Sequence, residues 1–116
     1  MGLNGRLRIE SLWTVTNSAN NKTVKVRFGG IGGTFFLGRV IGAAATFYNI
    51  VTIANRGVAN SQVGNQTNGD LSISTAAVTT GTLDTTIAQT LVFTAQKTLA
   101  GETITLESYA VELILP

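Results

Sequence analysis

The chain has 116 residues, eight Lys or Arg against six Asp or Glu, a net charge of +2, and neither cysteine nor histidine. Those two absences exclude disulfides, thiolate chemistry, the usual Cys/His zinc sites and nucleophile–histidine pairs. The pI of 9.4 follows from the missing histidines; no two basic residues are adjacent, so a groove that tracks nucleic-acid phosphates is not expected.

Met1 to Gly5 is short and turn-like, and residues 1–6 are expected to form a docking arm on a single domain that spans 1–116. From Leu7 to Phe28 the pattern has period two. Leu7, Ile9, Trp13 and Val15 alternate with Arg8, Glu10, Thr14 and Thr16; after NSANNK, Val24, Val26 and Phe28 alternate with Thr23, Lys25 and Arg27. This predicts a β-hairpin with Val15 facing Val24, Trp13 facing Val26 as core anchor, and Arg8, Glu10, Lys25 and Arg27 together on the wet face. Gly29 to Gly38 is dense in glycine and predicts a tight turn or bulge into a strand over Thr34 to Val40. It has neither the Lys-Ser/Thr of a P-loop nor the spacing of a dinucleotide fingerprint.

Gly42 to Ala45 can begin a helical turn, but Thr46 to Ala54 is β-branched and aromatic. It predicts a strand with Phe47, Val51 and Ile53 on one face and Tyr48, Ile50 and Thr52 on the other. Apolar groups on both faces point to a central or covered strand. Val58 to Asp70 reads as the longest loop, Leu71 to Thr75 as a short strand, and Thr79 to Thr86 as a loop. Ile87 to Ala95 reads as a strand with Ile87, Leu91, Phe93 and Ala95 facing the core. Lys97 to Glu102 reads as the connection of a second hairpin, and Thr103 to Leu115 as the longest strand. There Ile104 and Leu106 share one parity, and Tyr109, Val111, Leu113 and Leu115 the other. Such a change marks a bulge, or a passage from core to subunit interface.

Seven or eight strands, frequent turns and no amphipathic helix predict an all-β fold, an antiparallel β-sandwich of jelly-roll type. Only 12% of the residues are charged, while Thr contributes eighteen and Asn nine. A surface so poor in charge, on strands with a single proline, is expected to be partly covered by neighbouring subunits. No secretory leader opens the chain and no stretch is long enough to span a bilayer, so the two Asn-X-Thr sequons at Asn21 and Asn65 are read as coincidence.

Three stretches, LRIESLWTVTNSANNKTVKVRFGG, IANRGVANSQVG and TLAGETITLESYAVEL, together resemble a family of small β-sandwich domains in tailed-bacteriophage structural proteins. The resemblance runs from about Leu7 onward. It implies a non-enzymatic, trimeric virion component made in the host cytoplasm, either a capsid decoration (cement) protein or a domain of a head or tail fibre. The partners implied are further copies of the chain and the major capsid protein, with a host surface receptor in the fibre reading and neither nucleic acid nor membrane. A chain from Met1 to Pro116 without a long shaft suits a decoration protein better.

Candidate residues follow from chemistry. Tyr109, Val111, Leu113 and Leu115 are the expected subunit interface. Arg8, Lys25, Arg27, Arg56, Asn60 and Gln62 are the expected partner contacts, Arg56 because a guanidinium can clamp carbonyls or a carboxylate across a boundary. Tyr48 and Asn49 are a weaker candidate for a sugar site. Carboxylates are the only groups available for acid–base work in any number. Glu107 and Glu112 have opposite strand parity, and Asp70, Asp84 and Glu102 sit where solvated turn residues are the default. No cofactor, metal ligand or catalytic residue is expected.

Overall fold

The computed structural model describes residues 1–65 and 74–116. It contains eight strands and, among the described residues, no helix: β1 (Arg6–Val15), β2 (Lys22–Phe28), β3 (Thr34–Ile41), β4 (Thr46–Asn55), β5 (Gln62–Gly64), β6 (Thr79–Gly81), β7 (Leu91–Lys97) and β8 (Ile104–Ile114). They form two antiparallel sheets, β6-β5-β4-β1-β8 and β3-β2-β7. The pairing is nested in the manner of a jelly roll: β1 lies beside β8, and β2 beside β7.

The core is built from the apolar parities of the two sheets. Ile9, Trp13 and Val15 from β1 and Val51 and Ile53 from β4 meet Val24, Val26 and Phe28 from β2 and Phe36, Leu37 and Ile41 from β3. Trp13 is buried, packs its ring 6.4 Å from that of Phe93, and donates Nε1 to Ser11 Oγ at 3.0 Å. The indole therefore fills the space between the layers without an orphaned N–H.

The expected hairpin between β1 and β2 does not form, because the two strands belong to opposite sheets. Period two says which side chains point to the core, not which sheet carries them. The six residues from Thr16 to Asn21 are long enough to cross the gap of about 10 Å between packed sheets. Val15 and Val24 thus enter one core from opposite sheets instead of facing each other across a ladder. Arg8 and Glu10 consequently lie on the outer face of the large sheet, and Lys25 and Arg27 on that of the small one. The expected second hairpin fails in the same way, since β7 and β8 also sit in different sheets. β2 instead forms a hairpin with β3, turned by Gly29 and Gly30 at φ of +97° and +84°. Non-glycine residues seldom adopt such angles.

Other elements shift for local reasons. β7 begins at Leu91, leaving Ile87 outside the strand and exposed; Ala95, within it, is exposed as well. Asp84 accepts from Thr86 N and Oγ1 at 2.9 and 2.6 Å, a side-chain turn that closes the expected loop immediately before Ile87, the first residue of the expected strand. Both contacts hold the Asp84 carboxyl below its usual range. The expected loops contain β5 and β6, three-residue strands extending the sheet from β4. Residues 71–73 of the expected strand at Leu71 to Thr75 lie outside the described residues, as does Asp70; Ser74 and Thr75 are not in a strand. β4 is an interior strand of its sheet, as its two apolar faces suggest.

Buried polar clusters tie the two ends. At one end Lys22 is fully buried; its Nζ donates to Asn20 O at 2.7 Å and Ser18 Oγ at 3.0 Å, and stands 3.4 Å from Glu102 Oε2. Ser18 Oγ and Asn20 Nδ2 donate to the other Glu102 oxygen. Glu102 is therefore no solvated turn residue; it clamps the β1–β2 crossing against the β7–β8 crossing. Hydrogen bonds from Ser18 and Asn20, with the Lys22 charge, lower its pKa. A depressed carboxylate contributes stability above its unfolded pKa, of about 4.3, and loses it as pH falls through the folded value. The melting temperature is expected to drop as pH falls below about 4. A Glu102→Gln chain should be less stable at pH 7 and show a shallower acid limb; an unchanged limb would contradict the clamp.

At the other end Gln62 donates Nε2 to Asn55 Oδ1 at 2.9 Å and Leu83 O at 2.9 Å, and accepts from Leu83 N at 2.8 Å. Asn55 Nδ2 donates to Thr85 Oγ1 at 2.8 Å and to Gly2 O at 2.5 Å, while the Met1 amine donates to Thr85 O at 3.0 Å. Met1 and Gly2, in the segment expected as a docking arm, are thus bonded onto their own domain.

Candidate assembly surface

β8 is the element on which the surface is built. Among the described residues it pairs only with β1, so its far edge presents a row of main-chain donors and acceptors. Its ladder shifts register between Leu12 and Trp13: Leu12 faces Ser108, while Trp13 faces Leu106. Glu107 is the extra residue of this bulge. The bulge corrects the change of parity, so that Ile104 and Leu106 join Tyr109, Val111 and Leu113 on the core side of the sheet, opposite Val15, Trp13, Ser11, Ile9 and Leu7.

That core side is only half covered. Three strands spaced about 4.8 Å apart cannot roof five. Phe93 of β7 reaches the middle of β8, its ring 5.1 Å from Tyr109. Beyond it the sheets part into a cleft of about 300 Å³ between Phe28, Ile87 and Leu91 on one side and Leu7, Val111 and Leu113 on the other. Tyr109, Val111, Leu113 and Leu115 are 63%, 44%, 54% and 62% exposed, and Ile87 64%. No protein family, curated protein or solved structure matches this chain.

Edge strands that avoid pairing carry lysine, proline, inward-pointing charge or a bulge, and the bulge of β8 at Glu107 leaves the run from Ser108 to Ile114 in regular register. β8 has no Lys or Pro, and its two charges, Glu107 and Glu112, point outward to Thr14 and Arg8 of the same sheet. Long, apolar and open on its inner face, β8 can accept a neighbour by covering the cleft. Ile87, left exposed when the turn at Asp84 shortened its strand, adds to the patch. Its membership was not legible, because the reading that placed Ile87 in the core assumed a longer β7.

The six expected partner contacts do not form one surface. Arg8 lies on the large sheet, bound to Glu10 at 2.6 Å and Glu112 at 3.4 Å. Lys25 and Arg27 lie on the small sheet, and Arg56 and Asn60 are exposed at the β4–β5 connection. Gln62 is 1% exposed and occupied with internal hydrogen bonds, so it is not an outward contact. Tyr48 and Asn49 diverge to opposite faces: Tyr48 donates to Glu10 Oε2 at 3.0 Å, which raises its pKa, while Asn49 is buried and accepts from Ser11 Oγ at 2.5 Å.

The bulge also brings Glu107 to the outer face with Glu112, contrary to their sequence parity. Their partners Thr14 and Arg8 are nevertheless six residues apart on β1, about 20 Å. Carboxyl pairs that cleave glycosides stand about 5–9.5 Å apart. Glu107 and Glu112 do not make such a pair.

Proposed function

We propose that the chain is a non-enzymatic structural protein of a tailed-phage virion, a decoration (cement) protein that assembles as a trimer and binds the major capsid protein. The observation that carries this reading is the open seam beside β8, where the core faces water along Tyr109, Val111, Leu113 and Leu115. Monomers rarely leave a contiguous apolar strip uncovered. Three copies placed around an axis each present β8 to the axis and keep both outer sheet faces free. The virion setting comes from the sequence resemblance. A protein that binds the assembled lattice and not its loose subunits stabilises the shell by mass action.

The test is quantitative gel analysis of purified particles. Hundreds of copies per particle fit a decoration protein, whereas tens of copies would replace that role with a receptor-binding fibre or spike domain. Absence from particles would overturn the virion reading altogether.

A further inference from the structure

The outer face of the small sheet carries a second surface, unrelated to the seam. Thr23, Lys25 and Arg27 of β2 run down its middle, with Thr94 and Gln96 of β7 paired beside Lys25 and Thr23. Together with Ile31, which is 72% exposed in the glycine turn, they enclose a groove of about 210 Å³. On the other flank the Phe35 ring lies across Gly38, where an added Cβ would come within 2.9 Å of the ring. Lys25 Nζ and the Arg27 guanidinium stand 4.8 and 5.5 Å from its centroid. The ring holds both cations upright over the sheet.

No carboxylate among the described residues stands within ion-pair distance of either cation. Among the described residues the ion pairs are Arg8 with Glu10 and Glu112, and Lys22 with Glu102, none of them on this face. Arg27 donates Nη1 to Gly33 O at 3.1 Å, and its Nε is enclosed without an acceptor. Two charges, three neutral hydrogen-bonding side chains and an apolar end are thus gathered where the rest of the surface is poor in charge.

We propose that this groove docks an acidic segment of a partner protein, a carboxylate meeting Lys25 and Arg27 and an adjoining apolar side chain resting on Ile31. A polynucleotide fits less well, because two cations two residues apart neutralise too few phosphates for stable binding. The proposal rests on the small sheet alone and not on the trimer, so either stands if the other fails.

The test is an NMR titration of the full-length ¹⁵N-labelled chain with a capped Glu-Leu-Glu-Gly peptide, and separately with a four-nucleotide oligothymidylate. The expected result is saturable shifts confined to the amides of Thr23, Lys25, Arg27, Thr94 and Gln96. Binding should weaken about two- to fivefold in Lys25→Gln, the loss of one exposed ion pair, and also in 0.5 M salt. The salt titration decides if the variant's spectrum loses dispersion. No saturable shift with millimolar peptide, indifference to both Lys25→Gln and salt, or tighter binding of the oligothymidylate would overturn the proposal.

Discussion

A Leu113→Glu chain is expected to run as a 12.1 kDa monomer at concentrations where the unaltered chain is expected to be a trimer. Leu113 is 54% exposed in the isolated subunit and sits at the wall of the cleft with Val111 and Leu7. Complete burial of a leucine side chain stabilises by about 2 kcal/mol, so covering the exposed half of Leu113 contributes about 1 kcal/mol, and three copies lose about 3 kcal/mol, or about two orders of magnitude in the association constant. Forcing carboxylates into the covered seam adds to the loss. The same substitution should leave the monomer folded, because Leu113 makes little of the subunit's own core. Sedimentation velocity with circular dichroism separates the two effects. A Leu113→Glu chain that remains trimeric would place the contact elsewhere.

Trp13→Ala is expected to act on the monomer instead, and severely. The indole is 3% exposed, touches the Phe93 ring and bonds Ser11 inside the core. Truncating a buried aromatic costs about 3–5 kcal/mol through lost transfer energy and the cavity left behind. Domains of this size have only about 5–15 kcal/mol in total. The urea midpoint should fall steeply with little change in slope. Trp13→Phe should lose less, since most of the volume remains and Ser11 keeps its bond to Asn49. A midpoint within experimental error of the unaltered chain would contradict the role of Trp13 as the core anchor.

The sequence revealed faces better than partners. Ile9, Trp13, Val15, Val24, Val26 and Phe28 all point to the core as their alternation requires. Their division between two sheets was hidden, because a six-residue connector is compatible with a hairpin or a crossing. The bulge was legible in the break of parity between Leu106 and Tyr109. Its consequence was less so: only the ladder shows that one extra residue returns both groups to the same face. β5 and β6 have three residues each and exist through pairing rather than propensity. The burial of Lys22, read as the end of a turn-forming run, and of Gln62, read as a partner contact, depends in part on partners distant in the chain. Glu102 lies eighty positions beyond Lys22, and Gln62 is satisfied by Asn55 and the main chain of Leu83.

The open seam at β8 combines a legible and a hidden part. Tyr109, Val111, Leu113 and Leu115 stood out as an apolar run. That the small sheet stops short of them follows from strand count, which alternation does not encode. A sandwich whose larger sheet overhangs the smaller has an unfinished core, and the most economical way to finish it is with another copy of itself.

The most direct test is the mass of the purified chain by light scattering across a dilution series. The open-seam account predicts a particle of about three times 12.1 kDa that dissociates, if at all, only at the lowest concentrations. A single 12.1 kDa species persisting at high concentration would contradict it, and would leave β8 as an apolar edge that water alone covers.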